Sequence, residues 1–283
     1  MEILDGKSFS NEIKAEVKAK VERYFKEGSP LLACIIVEGD KASETYVASK
    51  QKACEVCGLK SMVCRLPHDT SQEELEEVIK NLNSDEKVDA ILLQLPLPKH
   101  LDSNSAINKI SPDKDVDCLT NENLGAMFAG SSFAPCTASG IIKLLERYNI
   151  NLEGKNAVVI GRSLLVGKSV VTLLEHKNAT VTLCHSKTKN LKEITNSADI
   201  LIVAIGKPLF ITSGYVKEGA IVIDVGINRI DGKIKGDVDY ENVKNKCAYI
   251  TPVPGGVGPL TVACLMENTL HLALKKQKIK LSK

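Results

Sequence analysis

The chain has 283 residues, which exceeds the length at which a single hydrophobic core stops growing, so we expect two domains. Apolar residues make up 43% and charged residues 25%, an ordinary composition for a soluble globular protein. The formal net charge of +2 is too small to indicate binding to nucleic acid or to an acidic membrane surface.

The N-terminal residues and the cysteines bear on the cellular compartment in which we expect the protein. Residues 1–7 carry charges where a signal peptide would need an apolar run. We expect that no apolar stretch of the sequence reaches the length of a membrane span, and hence a cytoplasmic protein that contacts no membrane. The nine cysteines are spread along the chain, several of them inside apolar runs, which is typical of buried thiols in a reducing compartment.

Cys54 and Cys57 have the spacing of a metal-binding or redox pair. A zinc site would need a second pair, and Cys64 alone follows nearby. The pair also closes a helix instead of opening one, so we interpret both residues as packing residues and predict no metal, with a metal site as the minor alternative.

Apolar runs of strand length alternate with helical patterns over nearly the whole chain, which predicts a parallel α/β architecture. In the first half we predict, in chain order, a helix whose apolar stripe covers 13–24, a strand at 31–37, a helix carrying Tyr46 and Lys50, a strand near 60–66, a helix opened by the capping box Ser71/Glu74, and a strand within 88–98 that prolines end.

The second half restarts the same alternation. In chain order we predict a linker helix around 120–130, a helix capped by Thr137 that runs through 149, a strand at 156–160, a glycine turn and helix from 161, a strand at 179–183, a helix at 190–197, strands at 199–204 and 220–225, and a last helix from about Thr261.

Tyr46 and Lys50 lie four residues apart on a predicted helix, so both side chains leave the same face. A ring beside a potential proton carrier suits a site that holds an aromatic substrate and moves protons. A half-exposed helix with an ordinary Tyr and Lys explains the spacing equally well, and the spacing alone favours that alternative.

A glycine turn bracketed by Gly161 and Gly167 follows the predicted strand at 156–160. Backbone N–H groups at the start of the next helix would face a bound anion, with the helix dipole behind them. Ser163 stands where the second glycine of the G-x-G-x-x-G motif would be, so the motif alone does not separate a nucleotide site from a plain loop.

The end of the following strand favours one cofactor. In NAD-binding folds a carboxylate there, about 20 residues after the glycines, takes a ribose hydroxyl. Here the segment 184–188 holds no carboxylate, and its hydroxyls and cations, together with Arg162, suit a 2′-phosphate. We therefore expect NADP to be favoured over NAD.

Five segments then identify a family. The loop 251–261 has three prolines and three glycines in eleven residues, which lets a ligand approach the backbone closely, although an interdomain hinge is an alternative. In chain order the segments are the Tyr-x-x-x-Lys helix, LLQLPLP at 92–98, PDKDVDC at 112–118, GRSLL followed by Val-Gly-Lys at 161–168, and PVPGGVGPLT at 252–261. Together, over about residues 4–270, they resemble the methylenetetrahydrofolate dehydrogenase/cyclohydrolase (FolD) family.

This resemblance implies two α/β domains with a cleft between them: a folate-binding catalytic domain at 1–119, completed by the C-terminal helix 262–283, and a Rossmann-like NADP-binding domain at 120–261. It implies two steps, oxidation of 5,10-methylenetetrahydrofolate to the methenyl cation with NADP and hydrolysis of that cation to 10-formyltetrahydrofolate. It also implies a homodimer formed through the nucleotide domain.

On the folate side, the resemblance assigns a role to each of four residues. Lys50 matches the catalytic lysine, whose free pKa near ~10.4 the site would have to lower before the amine could act as a base. Gln94 matches the residue that hydrogen-bonds this lysine, Tyr46 the ring that stacks on aminobenzoate, and Asp117 the carboxylate that holds the pterin. The substrate-binding set also includes Leu95, Gly255, Gly258, Pro259 and Thr261.

On the cofactor side, the matching positions surround the ribose phosphate and the pyrophosphate or follow strands where the family's backbone meets the cofactor. They are Gly161, Arg162, Ser163, Val166, Gly167, His185, Ser186, Gly206 and Ile227.

Three positions depart from the commonest form of the family. Cys118 replaces a glycine, Ala138 replaces a proline, and Ser169 replaces a proline. The cysteine could constrain the loop that carries Asp117, and the loss of proline at 169 is expected to loosen the first helical turn.

Two alternative functions stay open. A dehydrogenase without cyclohydrolase activity would not need the Lys50–Gln94 pair. A non-catalytic folate or nucleotide sensor would keep the pocket without the reaction, although the sequence shows no lost catalytic position.

Overall fold

The computed structural model describes residues 1–277, except for the side chains of residues 41 and 42. These residues form two compact units. The six-stranded unit comprises Met1–Asn11 and Pro135–Thr261, and the three-stranded unit comprises Glu12–Ala134 and the chain from Val262 onward. The part of the predicted C-terminal helix at 278–283 lies outside the described residues.

The bounds of the two units differ from the predicted domain bounds of 1–119 and 120–261 at two places. The first eleven residues belong with the six-stranded unit, where β1 pairs with β11. Residues 120–134 belong with the three-stranded unit. The predicted bounds follow from the family resemblance, whereas the contacts of the finished fold define the units.

Helices and strands alternate as the sequence pattern predicts. The strands are β1 (Glu2–Ile3), β2 (Leu31–Val37), β3 (Lys60–Leu66), β4 (Ala90–Leu93), β5 (Asn156–Ile160), β6 (Thr180–Cys184), β7 (Ile200–Val203), β8 (Ala220–Asp224), β9 (Asn228–Ile230), β10 (Lys233–Lys235) and β11 (Cys247–Ile250). The α-helices are α1 (Gly6–Tyr24), α2 (Lys41–Cys57), α3 (Gln72–Ser84), α4 (Ser103–Lys109), α5 (Asn121–Phe128), α6 (Cys136–Arg147), α7 (Ser169–Glu175), α8 (Leu191–Asn196), α9 (Tyr240–Val243) and α10 (Val257–Lys276).

The three-stranded unit is built on the parallel sheet β3-β2-β4. β2 is buried along almost its whole length because both faces of a central parallel strand are covered, which is why its sequence is a continuous apolar run. The predicted capping box opens α3: Ser71 Oγ accepts the N–H of Glu74, and the Glu74 carboxylate accepts the N–H of Ser71. Leu75 and Ile79 of α3 are fully buried, each stabilising the fold by about 1.5–3 kcal/mol.

The six-stranded unit contains the parallel sheet β1-β11-β8-β7-β5-β6. After β5 and β6 the chain returns to the other side of β5 to add β7. This reversal creates a switch point, and in open α/β sheets ligands bind at the carboxyl ends of the strands beside it. A short antiparallel ribbon, β9 with β10, was not predicted.

Two predictions about helices need correction. Thr137 does not cap α6: the N-cap residue is Pro135, without a side-chain cap, and the Thr137 hydroxyl instead pairs with that of Thr261 at 3.1 Å. The expectation that no apolar stretch reaches the length of a membrane span was also wrong. Among residues 1–277, α10 alone is long and apolar enough, although most of it is buried inside the protein, as in the core helix of a globular domain.

Candidate active site

Lys50 and Gln94 are joined by a hydrogen bond in the three-stranded unit. Helix α2 carries Lys50, and its Nζ donates to Gln94 Oε1 at 2.9 Å. Gln94 directly follows β4 and is held there by its backbone N–H, which donates to the carbonyl of Ile35 at 2.9 Å. The structure therefore brings together the two residues that the family resemblance paired, and their catalytic roles stay a prediction.

The Gln94 amide has a defined orientation. Its Nε2 donates to the carbonyl oxygen of Leu95 at 2.5 Å, and a carbonyl can only accept, so the Oε1 end must face Lys50. The side chain is buried, with 8% of its surface exposed. Gln94 can thus position the lysine amine without adding a charge beside it.

Tyr46 lies one helical turn before Lys50 on α2. It is among the few large apolar side chains that remain exposed, at 41% of its surface. An exposed ring next to a held amine is the arrangement that a flat substrate needs for stacking, and the ring stays a candidate for that role.

The loop that carries Asp117 is attached to the sheet at β4. Ile91 donates to the carbonyl of Lys114 at 2.7 Å, and Val116 donates to the carbonyl of Ile91 at 3.4 Å. The Lys114 ammonium donates to three backbone carbonyls at the end of α3, those of Leu82, Asn83 and Asp85. The loop is therefore held by both β4 and the end of α3.

The three aspartates of this loop differ in what surrounds them. Asp113 is exposed and pairs with Lys275 at 2.8 Å. Asp115 is buried and accepts hydrogen bonds from the N–H of Thr120 and the side-chain amide of Asn123, so it supports the loop. Asp117 is half-buried, and its contact with the pterin stays a prediction.

Cys34 of β2 lies within electrostatic reach of both Lys50 and Asp117. Burial raises the pKa of its thiol to about 11, with Lys50 opposing the rise and Asp117 adding to it. The thiol is therefore neutral at pH 7. No sequence pattern singled out Cys34 beyond its place in an apolar run.

Cys54 and Cys57 are both fully buried at the end of α2. Burial raises the pKa of Cys54 to about 12 and that of Cys57 to about 11. Metals and disulfide exchange require the thiolate, so these neutral thiols support the interpretation as packing residues.

Cys118, one of the departures from the family pattern, has a left-handed backbone with φ of +55°. That region favours glycine and costs another residue about 1–2 kcal/mol. The buried thiol partly offsets this cost, because it donates to the carbonyl of Phe133 at 3.5 Å. The cysteine thus ties the Asp117 loop to residue 133.

We expect Cys118→Gly to be more stable than Cys118→Ala by roughly 1 kcal/mol, the reverse of the usual order of glycine and alanine. Both variants lose the thiol, and alanine alone keeps the strain of the left-handed backbone. Urea unfolding of the two variants measures the difference. Equal midpoints, or a more stable alanine variant, would show that the backbone at residue 118 is not strained.

The glycine turn after β5 is closely packed in the six-stranded unit. Gly161 has φ of +121°, and a Cβ built there would lie 2.1 Å from the carbonyl oxygen of Ala204. A Cβ at Gly167 would lie 2.0 Å from the carbonyl oxygen of Gly161. Both predicted glycines are therefore required by close contacts between backbone segments of the turn.

The helix after this turn opens with a π-turn at Leu164–Lys168 that leads into α7. Ser163 caps it, its Oγ accepting the N–H of Val166 at 3.3 Å. Ser169 makes two hydrogen bonds in this turn, and the expected loosening stays a prediction. Its N–H donates to the carbonyl of Val166 and its Oγ donates to the carbonyl of Leu164, bonds that proline could not make.

A pocket of about 270 Å³ opens at the carboxyl ends of β5, β6 and β7, beside the switch point. Four of the predicted cofactor residues line it: Gly161, Arg162, His185 and Ser186. The sequence did not indicate the others, which are Ile160, Leu191, Ala204, Ile205, Lys207 and Phe210. No carboxylate lines this pocket, as expected for a site that takes a phosphate on the ribose.

The remaining predicted cofactor residues do not line this pocket. Ser163, Val166 and Gly167 shape the turn behind it. Gly206 donates its N–H to the buried carboxylate of Asp237 at 2.9 Å, as does Ile205 at 2.7 Å. Asp237 therefore fixes the loop after β7.

The 251–261 loop leads from β11 into α10, so Gly258, Pro259 and Thr261 lie in the first turn of that helix. Gly255 has φ of +110°. A Cβ at Gly258 would lie 3.5 Å from Ile227 Cδ1, so these two predicted residues are neighbours. Ile227 is exposed over 46% of its surface, which leaves it accessible to a ligand.

The neighbouring Asp224 is buried beside Asp237 and accepts the N–H groups of Gly226, Asp237 and Val238. Burial raises its pKa to about 6, with the negative charge of Asp237 adding to the rise against those three bonds. Neither aspartate was singled out from the sequence.

Comparison with known proteins identifies both parts of the chain. The family model for the catalytic domain of tetrahydrofolate dehydrogenase/cyclohydrolase matches residues 4–117. The model for the NAD(P)-binding domain of the same family matches residues 135–277. Bifunctional protein FolD of Campylobacter curvus is 53% identical over 281 residues, which cover 98% of this chain and 98% of that protein.

Solved structures agree over the full length. The crystal structure of the bifunctional enzyme FolD from Campylobacter jejuni is 49% identical and superposes with a TM-score of 0.95, covering 98% of this chain and 99% of that one. The Trypanosoma brucei FolD, complexed with NADP cofactor and inhibitor, is 38% identical with a TM-score of 0.93, covering 99% of this chain and 98% of that one. The chain thus belongs to the tetrahydrofolate dehydrogenase/cyclohydrolase family and is an enzyme of that family, with its catalytic and NAD(P)-binding domains both present.

Proposed function

We propose that the protein oxidises 5,10-methylenetetrahydrofolate to 5,10-methenyltetrahydrofolate with NADP and then hydrolyses the product to 10-formyltetrahydrofolate. In the first step two electrons and one proton leave the methylene carbon as a hydride. In the second, water adds to the methenyl cation, one proton is released, and the ring opens. The observation that carries the proposal is the Lys50–Gln94 hydrogen bond inside a chain that matches both domains of the family.

On the folate side, the proposal gives Lys50 the proton transfers of the hydrolysis and Gln94 the task of aiming its amine. Tyr46 stacks on the aminobenzoate ring, and Asp117 accepts hydrogen bonds from the pterin. Leu95 contributes its carbonyl, which holds the Gln94 amide. Gly255, Gly258, Pro259 and Thr261 form the further substrate contacts that the family pattern implies.

The residues of the six-stranded unit fit NADP. The Gly161 turn packs tightly against the end of β7, and the pocket beside it offers Arg162, His185 and Ser186 to a phosphate without an opposing carboxylate. Bound NADP supplies the hydride acceptor. The chain's own residues orient it, and the first step needs alignment of two carbons more than any proton carrier.

A spectrophotometric assay tests this function. Adding methylenetetrahydrofolate and NADP to the protein should produce the absorbance of NADPH, followed by decay of the methenyl absorbance as hydrolysis proceeds. A non-catalytic sensor gives neither signal, and a dehydrogenase without cyclohydrolase activity gives the first signal alone. A clear preference for NAD in the same assay would overturn the cofactor assignment.

We expect Gln94→Leu to reduce hydrolysis of the methenyl compound by about 10–100-fold while hydride transfer changes much less. Leucine fills a similar volume but can neither accept from Lys50 nor donate to the carbonyl of Leu95. Leaving that carbonyl unpaired should also lower the free energy of unfolding by about 1–3 kcal/mol. The decay of the methenyl absorbance measures the rate of hydrolysis, and urea unfolding measures the change in stability.

A double variant separates positioning from general damage. If Gln94 acts through Lys50, adding Gln94→Leu to Lys50→Met should cost no further hydrolysis, because the group that it aims is already gone. Additive losses would show that Gln94 acts independently of the lysine.

We also propose that the enzyme works in the cytoplasm as a homodimer joined through its nucleotide domain. The proposal rests on the free cysteines, which are typical of a reducing compartment, and on the family pattern. Sedimentation velocity tests the oligomeric state, and a single species with the mass of one chain would contradict it.

A further inference from the structure

The pocket at the ends of β5, β6 and β7 is lined by a basic side chain, Lys207, that no sequence pattern indicated. Its lining includes two basic side chains, Arg162 and Lys207, and the polar side chains of His185 and Ser186. The lining also includes apolar side chains, among them Leu191 and Phe210. The pocket thus combines groups that suit an anion with groups that suit a flat ring.

Lys207 is directed by its surroundings toward this pocket. Its Nζ lies 5.6 Å from the centre of the Phe210 ring, a cation–π contact with another residue of the pocket wall. The contacts of residues 1–277 include no carboxylate partner for Lys207, whereas Lys217 and Lys244 in the same unit are paired with Asp199 and Glu241. Its charge is therefore available to a ligand.

The loop that presents Lys207 is held on both sides. Before it, the N–H groups of Ile205 and Gly206 donate to the Asp237 carboxylate. After it, the N–H of Leu209 donates to the carbonyl of Gly236 at 3.0 Å. The backbone of residue 207 is thus fixed, and the position of its ammonium is limited to the reach of one side chain.

The other basic groups near the pocket cannot take the place of the Lys207 ammonium beside a phosphate. The Nδ1 atom of His185 accepts the N–H of Lys187 at 3.2 Å, which leaves Nε2 as the donor of the ring. Lys187, although it belongs to the segment that first suggested NADP, does not line the pocket. Arg162 would otherwise face a phosphate monoester alone, and such a group carries a charge of about −1.5 to −2 at pH 7.

Building on the proposed use of NADP, we infer that Lys207 is a specificity-determining residue, which pairs with Arg162 to neutralise the 2′-phosphate and so favours NADP over NAD. A contact of this kind acts on the phosphate itself and leaves the rest of the dinucleotide unaffected. The discrimination should therefore be visible with fragments that carry no nicotinamide.

Calorimetric titration of the full-length protein with 2′,5′-ADP and with ADP tests this inference. We expect Lys207→Gln to weaken binding of 2′,5′-ADP by about tenfold, the size of one charge-assisted contact, and to change ADP binding less than twofold. Lys207→Arg should restore most of the loss. Lys189→Gln is the matched control: it removes an exposed lysine that neither lines the pocket nor belongs to the 184–188 segment, and it should behave like the wild type.

The outcomes separate this inference from the cofactor assignment. If the wild type prefers 2′,5′-ADP and Lys207→Gln keeps that preference, or loses affinity for both ligands equally, the role of Lys207 is wrong while the NADP assignment stands. If the wild type binds the two fragments equally, the NADP assignment is overturned and the inference falls with it.

Discussion

Replacing Lys50 by methionine is expected to abolish hydrolysis of 5,10-methenyltetrahydrofolate while hydride transfer to NADP continues. Methionine keeps most of the length and the apolar stem of the side chain but cannot carry a proton. A positioned acid or base contributes about 10²–10⁴-fold to a rate, so we expect at least a ~100-fold loss of hydrolysis. Decay of the methenyl absorbance, corrected for the rate in buffer, measures it.

Lys52→Met provides the matched control for this experiment. Lys52 lies on the same helix two residues further on, and its side chain is exposed. The control should leave both activities unchanged. Hydrolysis that survives in Lys50→Met would assign the proton transfer to another group, and a parallel loss of folate binding would show that Lys50 holds the substrate and does not act on it.

The strands that a sequence predicts well are those buried on both faces. β2 and β7 are continuous apolar runs because they are inner strands of parallel sheets that are covered on both faces, so their order and type could be predicted before the fold was known. β1 has two residues and the ribbon β9–β10 three in each strand. Such short segments carry no period, and their pairing depends on the finished sheet.

Thr137 shows how a distant partner can overrule a local pattern. A threonine near the start of an apolar helix is a normal cap, and the local sequence favours that role. In the structure its hydroxyl instead meets that of Thr261, which is 124 residues away. No spacing rule connects those two positions.

Some residues of the candidate site could be predicted from the sequence, and others became evident only in the structure. Lys50 and Gln94 are 44 residues apart, and a family resemblance was needed to pair them before the structure showed the contact. Lys207 and Phe210 join Arg162 and His185 because three strands end at one edge of the sheet. The sequence predicts that Gly206 follows a strand. The direction of the Lys207 side chain depends on the loop that Asp237 fixes, and no sequence pattern indicates it.

Gly161→Ala is expected to remove NADP binding and to destabilise the six-stranded unit. The added Cβ would lie 2.1 Å from the carbonyl oxygen of Ala204, far below a normal contact, on a backbone with φ of +121°. Ala204 cannot move freely, since its N–H donates to the carbonyl of Ile160 at 2.8 Å. The ends of β5 and β7 must separate where the pocket lies, so we expect at least a ~100-fold weaker affinity for NADP and a loss of roughly 2 kcal/mol or more in the free energy of unfolding.

Gly154→Ala separates the steric contact from the backbone conformation in that experiment. Gly154 also has a positive φ, +73°, but a Cβ there would meet no atom within 4 Å. This control should lose about 1 kcal/mol of stability through the backbone alone and keep its affinity for NADP. Calorimetric titration with NADP and urea unfolding of both variants test the pair. If Gly161→Ala binds NADP as tightly as Gly154→Ala, the close approach of Gly161 to Ala204 is not what shapes the cofactor site, and the glycine turn loses its assigned role.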